Sequence, residues 1–194
     1  MAVRDDELEA LRQRLLDAAE ELFYARGIQA VGMDEVRSAS GLPLRRIYQL
    51  YPTKEDLVVG FLERRDTRWR SRLAAHVDSF DDPSLRVLAV FDWLHEWFDE
   101  PAFRGCAWIN AYGELGSTSS AVAAAVRDHK HAFHAYISRL AQAAAPEPGP
   151  GASQLLADAL CLLAEGAIVT AAIDQDARAA VRAKEAASAL LGHR

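Results

Sequence analysis

Turn and helix signals that decide the fold of the N-terminal part lie in the segment Gly41-Leu42-Pro43-Leu44-Arg45-Arg46-Ile47-Tyr48-Gln49-Leu50-Tyr51-Pro52-Thr53-Lys54-Glu55. Gly41 suits a tight turn, and the residues after it predict a helix of about two turns that carries two adjacent arginines. Pro52 ends that helix, and Thr53 begins the next one. Upstream, a short helix opens at Met33 and ends at Gly41. A helix, a glycine turn and a basic helix together predict a helix-turn-helix motif, whose second helix is shaped for the major groove of DNA.

A dense set of positions around this motif carries a family resemblance. They are Ala18-Ala19 and Leu22-Phe23 in the first predicted helix, Gly27 after it, Gly41 in the turn, Tyr48 late in the second helix of the motif, and Pro52 with Lys54-Glu55 beyond it. In this order, residues 15–58 resemble the DNA-binding domain of TetR-family transcriptional regulators. The resemblance covers about a quarter of the chain. It implies a DNA-binding head joined to a helical module that binds a ligand and dimerises.

The composition favours an all-α fold. Alanine and leucine dominate, β-branched residues are sparse, and proline and glycine concentrate at a few places. We expect an N-terminal three-helix DNA-binding domain at residues 1–52 and a helical ligand-binding and dimerisation domain at residues 53–194. The breaks in the pattern predict about nine helices. They lie near 6–25, 33–41, 43–50, 53–79, 83–99, 101–116, 117–144, 152–173 and 176–191, with a proline-rich linker at 146–151.

The net charge of −6 argues against a histone-like or general nucleic-acid-coating protein. Phosphates meet a local patch rather than the total charge, and here Arg45, Arg46 and Lys54 cluster around the second helix of the motif. An acidic body with a small basic tip is compatible with a specific DNA-binding regulator. The acidic residues concentrate instead in the first predicted helix and the C-terminal part of the chain.

The cysteines and the hydropathy of the chain indicate the cellular compartment of the protein. Cys106 and Cys161 lie in apolar helical surroundings, which favours buried thiols over a disulfide framework. No secretory signal precedes the first predicted helix, and no uninterrupted apolar run has the length needed to span a bilayer. We therefore expect a cytoplasmic protein without a membrane partner.

Candidate DNA contacts lie on the second helix of the motif. Leu44, Arg45 and Arg46 occupy its N-terminal turn, the part that points at base edges. Because arginine commonly reads guanine O6 and N7, we expect Arg45 or Arg46 to specify one G·C pair in each half-site. The alternative is that one of these arginines pairs with Glu35 or another nearby acid. Ile47 is expected in the core.

The resemblance implies further contacts to the DNA backbone. By it, Tyr48 and Lys54 contact phosphate, and the positive end of the fourth predicted helix assists Lys54. Gln49 is expected to reach a base or a phosphate. Members of the family often carry small residues at positions 45 and 46. The departure here means that the operator sequence cannot be inferred from better-known relatives.

Aromatic and polar side chains of the C-terminal part are candidate effector contacts. The fifth predicted helix is apolar on nearly all sides, as expected for the middle of a bundle. On the sixth, Asn110 and Glu114 share a face with Phe103 and Cys106, and a few polar groups among aromatic ones can orient a ligand. We predict contacts to a flat or lipophilic small molecule from Trp93, Trp97, Phe103, Trp108, Asn110, Tyr112, Glu114, His129 and Phe133.

Structural roles are the alternatives for the same residues. The aromatic side chains can simply form the core, and Asn110 and Glu114 can instead satisfy backbone groups around Gly113 and Gly116. His129 lies on an apolar stripe, where a hydrogen-bonded structural histidine is the commoner reading.

Metal-binding and catalytic patterns are weak. The fifth predicted helix carries a polar stripe with metal-capable side chains, Asp92, His95, Glu96 and Asp99. Such a stripe is more typical of a solvated helix face, so no metal is expected. The chain shows no glycine-rich phosphate loop and no nucleophile elbow. We therefore predict no catalytic residues and no cofactor.

Small residues edge the last two predicted helices and predict a homodimer interface. The expected contact residues are Leu155, Leu156, Ala159, Leu160, Leu163, Gly166, Ala167 and Thr170 on the eighth helix, and Ala179, Ala180, Ala183, Ala186, Ala187, Leu190 and Leu191 on the ninth. The resemblance implies that this pair of helices forms the dimer, and two heads on one two-fold axis require a palindromic operator. The resulting hypothesis is a homodimeric repressor released from DNA by a small molecule. The alternatives are an activator of the same fold, or a helical small-molecule-binding protein without DNA binding.

Overall fold

The structure, a computed structural model, describes residues 2–145 and 150–192. Within these ranges the regular secondary structure is helical and contains no strand, which confirms the all-α prediction. The helices are α1 (Ala2–Arg26), α2 (Met33–Ser40), α3 (Leu44–Leu50), α4 (Lys54–Val77), α5 (Pro83–Phe98), α6 (Ala107–Leu115), α7 (Ser120–Ala144), α8 (Pro150–Asp174) and α9 (Arg178–Leu190). Most of the linker predicted at 146–151 lies outside the described residues, and α8 already includes its last two positions.

The helix ends follow the glycine and proline signals closely around the motif. Gly41 has a φ of +64° and donates its N–H to the carbonyl of Arg37 at 3.0 Å, which closes α2. Arg14 of α1 reinforces this end by donating from its guanidinium to the carbonyl of Ser40 at 2.7 Å. Pro43 precedes α3, and its carbonyl accepts from the backbone N–H of Arg46 at 2.8 Å. These contacts place α3 directly after a tight turn, as the sequence predicts.

The start of α6 differs from the prediction. The helix was expected from Pro101 but begins at Ala107, because residues 99–106 form turns that end in a left-handed Gly105 with a φ of +82°. A side chain at Gly105 would come within 2.9 Å of the Cβ of Ala172, so this close approach also requires glycine. Phe103 consequently lies before α6 and does not share a helix face with Asn110.

The chain divides into two compact units. The first comprises residues 1–66 and 107–127, and the second comprises residues 67–106 and 128–194. The first unit therefore combines α1 to α3 with part of α4, the whole of α6 and the start of α7. Its buried apolar side chains include Leu15, Leu16, Phe23, Val31, Val36, Ile47, Leu57, Phe61 and Trp108. The boundary at residue 52 between a DNA-binding domain and a ligand-binding and dimerisation domain stays a prediction.

In the second unit, α5 packs against α8 and α9. The buried side chains of α5 include Val90, Trp93, Leu94 and Trp97, as expected for a helix in the middle of a bundle. Ion pairs link the helices at the edge of this core: Lys184 of α9 donates to Asp92 of α5 at 2.6 Å. Cys106 and Cys161 are buried free thiols, as predicted, and burial raises the pKa of Cys161 to about 12.

Helix α8 is unusually apolar. Its segment Gly151–Asp174 is long and apolar enough on average to cross a membrane by length and composition, a criterion different from the uninterrupted apolar run considered in the sequence. Asp158 and Glu165 interrupt the apolar run without lowering its average below that criterion. In the most apolar 18-residue stretch of this segment, 39% is buried within the protein. Core helices of soluble proteins also satisfy this criterion of length and composition.

Candidate DNA interface and ligand-binding residues

Helix α3 presents a polar face opposite a buried one. Ile47 and Leu50 are buried, whereas Arg45, Arg46 and Gln49 are exposed. Tyr48 is 41% exposed, and Leu44 is half-buried at the start of the helix. Pro43, Arg45, Arg46 and Gln49 line an open surface cavity of about 380 Å³. The predicted DNA contacts on α3 thus lie together on one accessible surface.

Neither arginine of α3 forms an ion pair among the residues that the structure describes. Glu35, the proposed partner, is occupied elsewhere: its carboxylate binds the guanidinium of Arg26 and accepts the backbone N–H of Gly32 at 3.1 Å. The hydrogen bond from Gly32, followed by that from Arg26, lowers the pKa of Glu35. The alternative that Glu35 neutralises Arg45 or Arg46 is therefore not observed.

Lys54 has protein partners that the sequence did not predict. Its Nζ donates to the carbonyls of Ile28 and Val31, both at 2.6 Å. Burial lowers the pKa of Lys54, while the charges of Glu114 and Glu35 oppose that shift. An ammonium group has three donors, so one remains beyond these two carbonyls. A phosphate contact from Lys54 stays a prediction.

Glu114, at the end of α6, binds the backbone of the same loop. Its carboxylate accepts the N–H of Ile28 at 2.9 Å and that of Gln29 at 2.7 Å, and the Gln29 side chain donates to the Glu114 carbonyl at 2.5 Å. We call the loop Gly27–Val31, with Lys54 and Glu114, the 27–31 clamp. From the sequence, Glu114 was expected to contact a ligand or to satisfy backbone groups around Gly113 and Gly116. Its contacts with the loop were not predicted, because no local pattern relates position 114 to position 28. Contact of Glu114 with a ligand stays a prediction.

Four aromatic rings of the second unit meet around that of Trp69. The ring centroids of Trp93, Trp97, His129 and Phe133 lie 5.0, 5.6, 5.4 and 5.4 Å from that of Trp69. We call these five residues the Trp69 cluster. Four of them were predicted ligand contacts. Trp69 itself was missed because it stands among arginines in the sequence Arg-Arg-Asp-Thr-Arg-Trp-Arg and lacks an apolar neighbour.

The remaining predicted ligand contacts have varied surroundings. Phe103 packs against Trp97 and Phe98, with centroid distances of 5.1 and 4.9 Å. Trp108 is only 1% exposed, whereas Asn110 is exposed and Tyr112 is 54% exposed. The nine predicted residues therefore belong to different compact units: Trp93, Trp97, Phe103, His129 and Phe133 to the second, and Trp108, Asn110, Tyr112 and Glu114 to the first.

Two carboxylates of the polar stripe of α5 have basic neighbours. Asp92 binds Lys184, and Glu96 lies 3.8 Å from Nδ1 of His76. Among residues 2–145 and 150–192, no group of three or more histidine, cysteine, aspartate or glutamate side chains is arranged to hold a metal ion.

The predicted interface of α9 was wrong in detail. Ala179, Ala180, Ala183 and Ala187 are buried within the protomer. Ala183 is 7% exposed, so a charge there would disrupt the protomer itself. On α8, the predicted contacts Leu160 and Ala167 are buried within the protomer as well, whereas large apolar side chains that were mostly not predicted stand in solvent. They are Leu155, Leu162, Val169 and Ile173, of which Leu162 is 74% exposed.

Two family models match the chain. The family described as "Bacterial regulatory proteins, tetR family" matches residues 15–60. The family described as "Tetracyclin repressor-like, C-terminal domain" matches residues 83–187, which is more than half of the chain. The first match contains all of α2 and α3, and the second runs from α5 to most of α9.

Relatives and solved structures agree with these matches. The chain is 28% identical over 130 residues to an uncharacterised HTH-type transcriptional regulator of Mycobacterium tuberculosis. The matched stretch covers 64% of this chain and 62% of that protein. It is 34% identical over 105 residues to the HTH-type transcriptional activator FasR of Mycolicibacterium smegmatis, over 44% of this chain and 48% of FasR.

A crystal structure of a TetR-family transcriptional regulator from Streptomyces coelicolor superposes with a TM-score of 0.85 at 26% identity, covering 94% of each chain. Regulators of this family are soluble DNA-binding proteins and are not enzymes. The motif around α3, the helical architecture and these matches lead to one conclusion: the chain belongs to the TetR family of bacterial transcriptional regulators.

Proposed function

We propose that the protein is a homodimeric, ligand-responsive repressor that acts in the cytoplasm on a palindromic operator. The observation that carries this proposal is the surface of α3, where Arg45 and Arg46 stand exposed and lack acidic partners among the described residues. A helix that buries Ile47 and presents arginines is suited to reading bases in the major groove. In this role Arg45 or Arg46 reads guanine, while Tyr48, Gln49 and Lys54 contact phosphate or bases and Leu44 contacts the groove.

The effector in this proposal is a small molecule with an apolar or aromatic body that binds among the helices of the second compact unit. Its entry shifts α4 and changes the separation of the two heads of the dimer. Only a ligand that binds the DNA-incompetent arrangement more tightly can release DNA, so high affinity alone is insufficient. The 27–31 clamp supports such coupling, since it ties the end of α6 to the loop that precedes α2.

Dimerisation is proposed through α8 and α9. Leu155, Leu162 and Val169 recur every seven residues, with Ala159 and Gly166 between them, as in the seam of two packed helices. We expect Leu162→Glu to yield a monomer at concentrations where the wild type is dimeric, since a charge would be buried at the interface. Leu85→Glu, at an exposed site on α5, is the matched control and should stay dimeric. A dimeric Leu162→Glu protein in light scattering would place the interface elsewhere.

The function is tested by selecting operators from random double-stranded DNA and measuring affinity by fluorescence anisotropy over a range of salt concentrations. We expect a palindrome to be enriched, with tight and strongly salt-dependent binding. Arg46→Ala should weaken binding by about 1–3 kcal/mol and relax the preference at one position of each half-site. Arg127→Ala, which removes an exposed arginine of α7, is the control and should retain both properties.

Two results would contradict parts of this proposal. Failure to enrich any sequence over nonspecific DNA would mean that the head has lost operator recognition, leaving a small-molecule-binding protein of the same fold. Unchanged affinity and sequence preference in Arg46→Ala would remove Arg46 from the base-reading surface.

Activation is the second candidate, because the relative FasR is described as a transcriptional activator. A reporter gene placed behind the selected operator distinguishes the two roles. Repression predicts higher expression when the regulator is deleted, whereas activation predicts lower expression.

A further inference from the structure

Arg14 of α1 lies against the turn that joins α2 to α3. Its Nε donates to the carbonyl oxygen of Ser40 at 3.2 Å, and its Nη2 donates to the same oxygen at 2.7 Å. This carbonyl ends α2, and the last four carbonyl groups of a helix have no partner within the helix. The guanidinium group satisfies one of them and also meets the negative end of the helix dipole. We call Arg14, Ser40 and Gly41 the α2 cap.

Gly41 gives the guanidinium group access to this carbonyl. A Cβ atom at Gly41 would lie 3.2 Å from Nη2 of Arg14, which is closer than an ordinary van der Waals contact. The φ of +64° at Gly41 also lies in the left-handed region, which favours glycine. Gly41 therefore serves the turn in two ways. It adopts the conformation that ends α2, and it leaves space for the side chain that holds this end.

Buried contacts connect the α2 cap to the start of α3. Ser40 is 5% exposed, and its Oγ accepts the backbone N–H of Leu42 at 3.4 Å. Leu42 is itself 5% exposed, and Pro43 follows it directly. Only a few residues separate Ser40 from Arg45 and Arg46, and Leu42 anchors them in the core. A displacement of the Ser40 carbonyl therefore changes the direction in which α3 leaves the turn.

Helix α1 is a fixed support for Arg14, because α4 holds it through buried ion pairs. Arg64 of α4 donates to the carboxylates of Asp17 and Glu20 of α1, both at 2.7 Å. It also donates to the carbonyl oxygen of Gln13 at 3.3 Å. The Arg64 side chain is only 9% exposed, so these bonds are shielded from solvent. Since Gln13 directly precedes Arg14, the contact with the turn starts from a backbone that the first compact unit holds in place.

We propose that Arg14 is a positioning residue for operator recognition: through the Ser40 carbonyl it sets the angle at which α3 presents its two arginines to base edges. This inference rests on the proposed function, because it concerns how the motif reads DNA. Base edges are read by hydrogen bonds of defined geometry, whereas phosphate contacts carry no sequence information. Loss of Arg14 therefore lowers the preference for the operator over other DNA, and Arg14 itself contacts no phosphate.

Two substitutions of Arg14 and one matched control test this role. Arg14→Met removes the charge and both donors while it keeps an unbranched apolar side chain. Arg14→Lys keeps the charge and one donor at a time for the Ser40 carbonyl. Arg12→Met removes the same charge from the same helix, where Arg12 forms an ion pair with Glu9 at 3.3 Å and makes no listed bond to the turn.

Fluorescence anisotropy measures the affinity of each full-length protein for the selected operator and for a nonspecific duplex over a range of salt concentrations. We expect the ratio of the two affinities to fall about tenfold in Arg14→Met, since a hydrogen bond to a charged group is worth about that factor or more. Arg14→Lys should give an intermediate ratio, and Arg12→Met the wild-type ratio. A loss of stability alone cannot change the ratio, because an unfolded fraction lowers the active concentration for both DNAs equally.

Amide hydrogen exchange tests the contact without DNA. Exchange at Gly41 and Leu42 should accelerate in Arg14→Met, because the end of α2 loses its support, and should stay at the wild-type rate in Arg12→Met. Circular dichroism of each variant verifies that the helical fold is retained.

The proposal is overturned if Arg14→Met keeps the wild-type affinity ratio, or if Arg14→Lys restores it fully, which would assign the effect to charge alone. It is also overturned if operator and nonspecific binding weaken equally and the salt slope falls by about one, the signature of a lost phosphate contact. Unchanged exchange at Gly41 and Leu42 would remove the α2 cap as the cause. A wild-type protein that selects no operator overturns the proposed function, and with it the recognition role of Arg14, even where exchange shows that Arg14 holds the turn.

Discussion

The 27–31 clamp and the Trp69 cluster both connect segments that are far apart in the sequence, but by different physical means. The clamp uses a few directed hydrogen bonds, in which Lys54 binds two carbonyls and Glu114 binds two backbone N–H groups of one loop. The Trp69 cluster uses ring contacts at centroid distances of 5.0–5.6 Å around one indole. Directed bonds fix the position of a loop, whereas dispersed contacts supply cohesion.

This difference affects how each region responds to damage. Removal of a clamp side chain leaves backbone groups of the loop without partners, which is a local defect. Removal of a ring from the cluster leaves a cavity whose lining loses contacts on every side, which is felt throughout the second unit. The predictions below test that distinction.

The largest effect is expected for Trp69→Ala. It should lower the free energy of unfolding by about 3–5 kcal/mol, because a large buried side chain is removed and the rings around it collapse only in part. Denaturant titration measures this change. Leu85→Ala, at an exposed position, is the control and should cost far less. A loss below about 1 kcal/mol in Trp69→Ala would mean that the cluster is not tightly packed.

A smaller and more local effect is expected for Glu114→Ala. It should cost about 1–3 kcal/mol, because the N–H groups of Ile28 and Gln29 lose their acceptors. Amide hydrogen exchange should accelerate at these two residues, and Glu114→Gln, which keeps one acceptor oxygen, should show an intermediate rate. Trp69→Ala is the contrasting control, since it removes no acceptor from this loop. Equal exchange rates in Glu114→Ala and wild type would show that the clamp does not hold the loop.

The smallest effect concerns Tyr136, which follows Phe133 of the cluster by three residues on α7 and has a buried hydroxyl. Its pKa is raised from 10.0 to about 12, so the folded protein retains a proton that the unfolded chain releases. This contribution to stability is fully present below pH 10 and is lost as the pH rises towards 12. Tyr136→Phe should therefore show a smaller fall of the denaturation midpoint over that interval. An identical fall in both proteins would contradict the assigned burial of the phenol.

The same contrast explains what the sequence predicts and what it does not. Gly41 marks the end of α2 and Pro43 the start of α3, and the position of Ile47 relative to the arginines predicts which face of α3 is buried. These features are predictable because turn chemistry and helical periodicity are local properties of the sequence. Local patterns also predict the burial of α5. They carry no information about partners far along the chain, so the pairing of Glu114 with the loop at Ile28 was missed.

Two further departures have physical reasons. The late start of α6 accompanies a turn in which Gly105 closely approaches Ala172, a tertiary contact that Pro101 does not signal. The alanine face of α9 was assigned to a partner protomer, but small residues permit close packing within one protomer as readily as between two. Exposure of Leu162, rather than residue size, distinguishes the outer face.

The apolar seam of α8 has a consequence for gene dosage. If the proposed dimer forms through Leu155, Leu162, Val169 and Ile173, association stabilises the protomer, and its stability and quaternary state depend on its concentration. Where the proposed dimer is largely dissociated, operator occupancy varies with the square of the protomer concentration. A modest change in the cellular abundance of this regulator would then produce a disproportionate change in transcription, before any effector is present.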